Sequence, residues 1–353
     1  MILAARLGLA TRDGLMNLAA RLGLATRETG VDALTLRGDP VSAVRYAGTV
    51  LRKPRALPRG GAIGVAAPAS AVAIELVDAA EKRWREAGFT VVRRDDLGAR
   101  DRYLAGTDER RTAELTELWA DRRVDAILCA RGGYGCHRII DRLDAPAARA
   151  AQKALTGYSD ITTLLLWQLR CAGLVGFHGP MFERGGDISD DEFGAVVETL
   201  TGTERLPVSR AGSDGFGAAV EGRLVGGSLT LIAASLGTPW AIDARGAILM
   251  LEDVGERPYR IDRLLQQLRC AGVLEGVAGV GLGHFARCDE PDGVITAQQI
   301  LREWLDAAGV PWVSGLPFGH GSPNLIWPMG VRARLDGARA TLHILERGVA
   351  ESR

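Results

Sequence analysis

The chain has 353 residues, of which 47% are hydrophobic and 24% charged, and its 43 basic and 43 acidic residues give a formal net charge of zero. A chain of this length is long for one domain, so we expect two domains with ample buried core. The balanced charge gives no indication of a nucleic-acid or anionic-membrane partner. No apolar run approaches 18 residues, so no transmembrane helix is expected.

The cysteines favour neither a disulfide framework nor a zinc site, because their number is odd and no C-x-x-C spacing occurs. They are Cys129, Cys136, Cys171, Cys270 and Cys288. Free thiols fit a reducing compartment. The N-terminus carries an early Arg6 and no apolar segment of signal-peptide length. We therefore expect a cytoplasmic protein.

Residues 1–50 form an N-terminal extension with an internal duplication. The ten residues from Leu3 to Arg12 recur letter for letter from Leu18 to Arg27. Two copies are too few for a solenoid, and a central glycine weakens each copy as a helix. A small duplication or an upstream start codon explains the segment most simply, and either is compatible with disorder; a docking helix is the alternative.

From residue 51 onward, short apolar strands alternate with amphipathic helices, which predicts an α/β fold with a parallel sheet. Strands are expected at 62–67, 89–92, 126–130, 154–157 and 173–177, and helices at 71–87 and 108–121, the latter with Asp108 as its N-cap. We assign residues 51–190 to an N-terminal domain with this parallel sheet.

A segment rich in Gly, Asp and Ser follows, with one helix near 191–201, and we expect the domain linker at 191–219. Further strands are expected at 247–251, 277–283 and 313–316, helices at 258–270 and 298–308, and a terminal hairpin at 331–345 that turns at Asp336-Gly337. Residues 220–353 are therefore predicted to form a C-terminal α/β domain with a mixed or barrel-like sheet.

The stretch from Asp125 to Leu166 contains two successive strand–turn–helix units. The first strand ends in Arg131-Gly132-Gly133-Tyr134-Gly135, and the second ends in Gly157-Tyr158-Ser159-Asp160. Parallel neighbours place both turns at the carboxyl edge of the sheet, where open α/β sheets carry their sites. A glycine turn beside a serine on a sharp bend is what serine-based acyl transfer requires.

Each of these two turns has an alternative interpretation. Ser159 could be an ordinary helix N-cap, because its surroundings lack the second glycine of G-x-S-x-G. The glycine turn could bind phosphate, although it lacks the lysine of a P-loop and the full G-x-G-x-x-G pattern. Convergent backbone N–H groups suit a transient oxyanion as well as a phosphate.

A serine nucleophile needs a base and a group that orients the base. His320 follows a strand within a turn-rich loop and is the candidate base, with His178, at another strand end, as its rival. Glu252 follows five apolar residues and is the candidate acid; the alternative is an ion pair with Arg257 or Arg260. No His/Asp pairing of ligand-like spacing accompanies these acidic residues, so no metal site is expected.

Eight ordered segments carry a resemblance to a known family. They are VAAPAS (65–70), YLAGTDERR (103–111), CARGGYG (129–135), GYSDIT (157–162), FHGPM (177–181), GGSLTLIAASLGTPW (226–240), LEDVGERPYRIDR (251–263) and LPFGHGSPN (316–324). Each segment is weak alone, but the ordered set is specific. Together they resemble the LD-carboxypeptidase family of serine peptidases, which includes the microcin C self-immunity proteins.

The resemblance implies a nucleophile elbow in the N-terminal domain and an acid and a base in the C-terminal domain. The family's serine matches Ser159, its glutamate matches Glu252 and its histidine matches His320. The oxyanion donors would then be the backbone N–H groups of Asp160 and, in the glycine turn, Gly133. Such a triad would be assembled across the domain interface, and it needs no cofactor.

For substrate binding we predict Arg131, Gly132, Tyr134 and His178, with Arg131 or another nearby basic group holding the substrate carboxylate. Family members often have Asn or Cys where this chain has Ser228, so no substrate contact is carried over to that position. The expected partners are a small peptide substrate and a second copy of the chain, and no nucleic acid or membrane.

The function implied by the resemblance is cleavage of murein tetrapeptide between the L-centre of its diamino acid and the terminal D-alanine, in cell-wall recycling. The alternative within the family is hydrolysis of microcin C-like peptidyl or aminoacyl nucleotides. That activity calls for an aromatic residue on a mobile loop, for which only Phe193 and Phe216 are available in the linker. An alternative of another class is a non-catalytic anion- or nucleotide-binding protein.

Overall fold

The computed structural model describes residues 44–46 and 49–351 of the chain. The duplicated segment predicted in the N-terminal extension lies outside these residues. The first described elements are the strands β1 (Val44–Tyr46) and β2 (Thr49–Leu51), which pair antiparallel. Within the described part of the chain, no helix combines the length and the apolar character that crossing a bilayer requires.

A first sheet of six strands holds the predicted N-terminal strands. They are β3 (Ala62–Ala66), β4 (Thr90–Val92), β5 (Ala126–Cys129), β6 (Ala154–Gly157), β7 (Gly176–His178) and β14 (Trp327–Met329). The order across the sheet is β14-β7-β6-β5-β3-β4. All neighbours pair parallel except β14, which runs antiparallel to β7. Strands β5 and β6 are adjacent, so the two strand–turn–helix units lie side by side as predicted.

Helices cover this sheet, and their apolar faces supply its core. They are α1 (Ile74–Glu86), α2 (Asp108–Ala120), α3 (Ala145–Ala151) and α4 (Thr162–Trp167), which continues as a π-helical turn (Gln168–Ala172), with 3₁₀ turns at Cys136–Arg138, Ile140–Arg142, Ser159–Ile161 and Phe182–Gly186. The N-cap of α2 is Thr107, one residue before the predicted N-cap Asp108. Thr107 caps the helix by accepting from Arg110 N, whereas Asp108 pairs with Arg111 and Arg138.

A second sheet of eight strands forms the C-terminal part. They are β8 (Val208–Ala211), β9 (Asp214–Phe216), β10 (Ala219–Ser228), β11 (Ala247–Val254), β12 (Gly279–Ala286), β13 (Trp312–Ser314), β15 (Arg332–Asp336) and β16 (Thr341–Ile344). The order is β8-β16-β15-β10-β11-β12-β13-β9. Three central pairs are parallel and the outer pairs are antiparallel. The predicted terminal hairpin is the β15–β16 pair, joined by a 3₁₀ turn (Gly337–Arg339).

The second sheet curls so that its two ends meet. Strands β8 and β9 lie at opposite ends of the strand order, yet only Gly212 and Ser213 separate them in the sequence. Gly212 N donates to Ala340 O at 2.7 Å, and Ser213 N donates to Ser314 O at 2.8 Å. The two-residue connection can span only a short distance, so the mixed sheet is barrel-like, as predicted.

The second sheet packs against α6 (Leu229–Ala234), α7 (Pro258–Cys270) and α8 (Ala297–Ala308), and α5 (Asp190–Thr201) precedes it. The predicted bounds of α7 are those observed, because its apolar residues recur with a clear helical period. The segment expected as a linker, 191–219, contains most of α5 together with β8 and β9. The first sheet in turn receives β14 from the C-terminal part, so each sheet contains a segment that sequence order would assign elsewhere.

Candidate active site

Ser159 has a backbone conformation that residues other than glycine rarely adopt. Ser159 comes after β6 and the extended residue Tyr158, and its own φ is +61°. A left-handed non-glycine residue costs about 1–2 kcal/mol, which the surrounding structure must offset. Gly157 permits the bend, because a Cβ there would lie 2.8 Å from the Ile161 side chain. Tyr158, not Ser159, holds the N-cap position, so the N-cap interpretation of Ser159 is wrong.

The glycine turn after β5 touches this bend. A Cβ on Gly132 would lie 2.9 Å from Ser159 Cβ, so only glycine permits the approach. Gly133 adopts a φ of +98°, a conformation that glycine adopts without strain. Among the described residues, no acceptor binds the N–H groups of Gly132 and Gly133. The turn therefore offers unoccupied donors beside the serine.

Glu252 and His320 form a buried hydrogen-bonded pair. Glu252 lies in β11 and is fully buried, and its Oε2 accepts from His320 Nδ1 at 2.7 Å and from the His320 backbone N–H at 3.2 Å. Burial opposes ionisation of this carboxyl, but interactions with His178 and His320 outweigh it and lower the pKa of Glu252 to about 2. The alternative ion pairs with Arg257 and Arg260 do not form; these arginines face Glu290 and Glu256.

The imidazole of His320 reaches the strand end that carries Ser159. Its ring packs edge-on against Tyr158, the residue before the serine, with centroids 4.8 Å apart. Its side chain keeps 15% of its surface exposed, whereas Glu252 behind it keeps none. An acceptor on the second sheet, the Glu252 carboxylate, thus orients a ring that faces the first sheet. The structure thus pairs Glu252 with His320 and places the His320 ring against Tyr158, the residue next to Ser159 in the chain.

The loop that carries His320 is fixed by contacts distant in sequence. Gly319 approaches Glu252 so closely that a Cβ would lie 2.6 Å from Oε2. Asn324 Oδ1 accepts from Gly319 N at 2.9 Å and closes the loop. Asn324 N donates to Glu192 Oε1, in α5, at 2.7 Å. Sequence reasoning missed both Asn324 and Glu192; the buried position of a polar residue cannot be read from an isolated letter.

His178 does not reach the surface where a substrate would bind. Its side chain is fully buried, stacks on Trp327 with centroids 5.1 Å apart, and places Nε2 3.7 Å from Glu252 Oε1. Its predicted role as a substrate contact, and its role as the rival base, are therefore wrong for this structure. Behind Glu252, it instead adds a second imidazole next to the carboxylate.

The remaining predicted substrate contacts lie in the glycine turn. Arg131 is about half exposed, and its Nε lies 3.7 Å from the mostly buried Glu183. Tyr134 is 47% exposed, and its ring lies 5.8 Å from that of Tyr103. Both side chains are accessible at the rim of the turn. Ser228, by contrast, is buried and caps α6.

The two domains meet directly behind the bend. Ser228 N donates to Thr162 Oγ1, at the start of α4, at 3.2 Å. Gly227 permits this approach, because a Cβ there would lie 2.6 Å from the same oxygen.

In the described residues, no group of three or more His, Cys, Asp or Glu is placed to hold a metal ion.

Family models match both halves of the chain. The LD-carboxypeptidase N-terminal domain matches residues 63–179, and the LD-carboxypeptidase C-terminal domain matches residues 221–335. These matched regions contain Ser159, Glu252 and His320.

Individual relatives span most of the chain. A probable murein peptide carboxypeptidase of Bacillus subtilis is 37% identical over 316 residues, covering 85% of this chain and 96% of the relative. A muramoyltetrapeptide carboxypeptidase from Oxalobacter formigenes superposes with a TM-score of 0.73 at 32% identity, covering 81% of this chain and 99% of that one. The microcin C7 self-immunity protein MccF of Escherichia coli is 27% identical over 293 residues, covering 74% and 85% respectively.

Proposed function

The chain belongs to the LD-carboxypeptidase family of peptidases, and on that premise we propose that it is a serine carboxypeptidase that acts on murein tetrapeptide. The bond cleaved is the amide between the L-centre of the diamino acid and the terminal D-alanine. The observation that carries the proposal is the 2.7 Å Glu252–His320 pair beside the strained Ser159.

In this mechanism Glu252 accepts the Nδ1–H of His320, which leaves Nε2 free to act as a base. Nε2 removes the proton of Ser159 Oγ while the oxygen attacks the carbonyl carbon. The C–N bond then breaks, and His320 returns the proton to the departing amine of D-alanine. Water, deprotonated by the same nitrogen, hydrolyses the acyl-enzyme and regenerates the serine.

The tetrahedral intermediate places a negative charge on the former carbonyl oxygen. The N–H groups of Gly133 and Asp160 are the proposed donors to it, since the glycine turn contacts the serine bend and the Gly133 N–H has no other acceptor within the described residues. Removing one such donor typically costs about 10²–10³ in kcat. The low pKa of Glu252 keeps the carboxylate charged at neutral pH, as orientation of the imidazole requires.

The substrate has a free C-terminal carboxylate, for which the exposed guanidinium of Arg131 is the proposed partner. Tyr134 and Gly132 would contact the peptide beside it. We further propose that the enzyme works in cell-wall recycling in the cytoplasm, as a homodimer.

Hydrolysis of microcin-like nucleotides is the second candidate, and the similarity to MccF favours keeping it in the test. Neither aromatic residue of the predicted linker is a free loop residue. Phe193 lies in α5 and packs against Trp84 with centroids 4.7 Å apart, and Phe216 lies in β9. This arrangement supports the murein peptide as the first choice.

The test is turnover of purified protein with murein tetrapeptide, followed by mass spectrometry of the released D-alanine, in parallel with an aminoacyl-sulfamoyl adenosine. A serine-directed acylating probe should label Ser159 in the unaltered protein and leave the His320→Ala variant unlabelled. The peptidase proposal fails if the tetrapeptide stays intact and Ser159→Ala changes no reaction with any substrate. Cleavage of the sulfamoyl adenosine alone would replace the first candidate with the second.

A further inference from the structure

The side chains of Ser70, Arg111 and Asp160 bind the backbone of the glycine turn and of Cys136, which follows it, and the proposed mechanism uses none of these side chains. Ser70 N donates to Gly132 O at 3.2 Å, and Ser70 Oγ accepts from Tyr134 N at 3.1 Å. Farther along the turn, Arg111 Nη1 donates to Gly135 O at 2.8 Å. Asp160 Oδ2 accepts from Cys136 N at 2.8 Å.

Two of these side chains carry buried charge, which is costly unless the charge is well paired. Arg111 is fully buried and pairs with Asp108 in addition to its carbonyl acceptors. Asp160 is buried as well; burial raises the pKa of its carboxyl, and the hydrogen bond from Cys136 N opposes that rise. Isolated buried charges destabilise a fold. Both groups offset this cost by binding partners, and for both of them one partner is the backbone at the end of the glycine turn.

The pattern of these bonds leaves specific groups free. The N–H groups of Tyr134 and Cys136 are bound, while those of Gly132 and Gly133 have no acceptor within the described residues. Asp160 follows the nucleophile directly, so its bond to Cys136 N ties the serine bend to the glycine turn. The two proposed oxyanion donors, at Gly133 and Asp160, are thereby fixed relative to each other.

We propose that the side chains of Asp160 and Arg111 are positioning residues that set the spacing of the two oxyanion donors. Asp160 acts through Cys136 N, and Arg111 acts through Gly135 O. The proposal rests on the proposed function, because it assigns a purpose to the geometry of that same site. It concerns the carboxylate and guanidinium groups, which do not touch the substrate.

A positioning role differs from a purely structural one in what it does to the kinetics. Displaced donors weaken binding of the transition state more than binding of the substrate, so kcat falls while KM is little changed. A purely structural role lowers stability and the amount of folded enzyme, but leaves kcat per folded molecule unchanged. The comparison of Asp160→Ala with Asp160→Asn is sharp, since the asparagine oxygen can still accept from Cys136 N.

The experiment measures kcat and KM on murein tetrapeptide, and the labelling rate with a serine-directed phosphonate, whose adduct places an oxygen in the oxyanion site. Asp160→Ala is expected to lower kcat and the labelling rate by about 10–100-fold with KM within about threefold, somewhat less than outright loss of a donor. Asp160→Asn should recover most of that loss. Arg111→Met is a second variant, and its labelling rate is compared only if its circular dichroism spectrum is that of the unaltered protein.

Asp125→Ala is the matched control, because Asp125 Oδ2 accepts from Ala62 N at 2.9 Å in the same sheet, at the edge away from the site. It should lower the melting temperature without changing kcat. The positioning proposal is overturned if Asp160→Ala turns over and labels as fast as the unaltered protein, or if Asp160→Asn loses as much as Asp160→Ala.

The two proposals can fail separately. If the unaltered protein does not cleave the tetrapeptide but is labelled at Ser159, and Asp160→Ala slows that labelling, the substrate is wrong and the positioning role stands. If the unaltered protein is neither active nor labelled, both proposals fall.

Discussion

The bend that carries Ser159 is built from residues close to it in sequence, whereas the loop that carries His320 is held by residues far from it. Gly157, Tyr158 and Ile161 shape the serine bend. His320 depends on Glu252, 68 residues away, and its loop is anchored through Glu192, 132 residues from Asn324. Local geometry thus shapes the bend at Ser159, whereas the His320 ring is oriented only when both sheets have folded. We therefore expect changes on the second sheet to lower activity more than they disturb the fold of the first sheet.

The largest expected effect follows from replacing Glu252, the proposed acid of the triad. In Glu252→Gln, the amide can donate a hydrogen bond to His320 Nδ1 and so favour the wrong tautomer of the ring. We expect kcat to fall by about 10⁴-fold with a folded protein. Glu256→Gln, four residues along the same chain segment, is the control and should keep normal turnover. A Glu252→Gln enzyme with near-normal kcat would remove Glu252 from the mechanism.

Gly319→Ala should be the most damaging small change at the His320 loop. Its Cβ would lie 2.6 Å from Glu252 Oε2, at a φ of +101°, so the loop must move away from the carboxylate. We expect a loss of about 10²-fold in kcat, comparable to misplacing a catalytic group by about 1 Å. Gly255→Ala is matched in backbone conformation, with a φ of +70°, but nothing lies near its Cβ. It should cost only about 1 kcal/mol of stability, measured by urea unfolding, and equal kcat values for the two variants would contradict this account.

Asp253, beside Glu252 on β11, should give the protein a pH-dependent stability. Burial raises the pKa of Asp253 from 3.8 to about 6, against the opposing hydrogen bonds from Thr230 and Val254. The folded state holds the proton of Asp253 more tightly than the unfolded state does. The stabilisation of the folded protein by this group is therefore fully present below pH 3.8 and is lost as the pH rises through 6. It amounts to about 3 kcal/mol.

The Asp253→Asn variant should not show this loss. The difference between its free energy of unfolding and that of the unaltered protein should therefore change between pH 4 and pH 7. Urea unfolding at closely spaced pH values measures it. A difference that stays constant across this range would show that Asp253 does not titrate as described. Glu252 acts in the opposite sense and at lower pH: its contribution is present above pH 4.5 and is lost as the pH falls through 2.

Asn324→Ala tests the long-range anchoring of the base with a smaller change. It removes the acceptor for Gly319 N but leaves the backbone bond to Glu192 in place. We expect kcat to fall by about tenfold because the loop gains freedom, with little change in KM. Stopped-time assays on the tetrapeptide measure this, and a loss of stability with unchanged kcat would indicate a purely structural asparagine.

The smallest effect concerns the backbone strain at Ser159. In Ser159→Gly the left-handed conformation no longer carries the cost of a side chain, so this variant should be more stable than Ser159→Ala by about 1 kcal/mol. Differential scanning calorimetry of the two variants gives the comparison. If the alanine variant is the more stable, the bend at residue 159 stores no strain.

The amino-acid sequence by itself determined the elements whose pattern is local. The strands β5 and β6 with their turns, the bounds of α7, and the terminal hairpin all follow from the spacing of apolar residues and glycines over fewer than twenty positions. The candidate nucleophile follows from the same pattern, and Glu252 and His320 follow from their places at strand ends. Ordered motifs, and not periodicity, matched these three residues to those of a family.

Tertiary structure alone decided the features that depend on distant segments. No local pattern indicates that β14 joins the first sheet, that His178 is buried behind Glu252, or that Arg111 and Asp160 hold the glycine turn. A histidine at a strand end reads the same whether the next layer of structure covers it or leaves it open. Burial and hydrogen-bond partners arise only when the two sheets pack together, because they are properties of neighbours in space and not of neighbours in the chain.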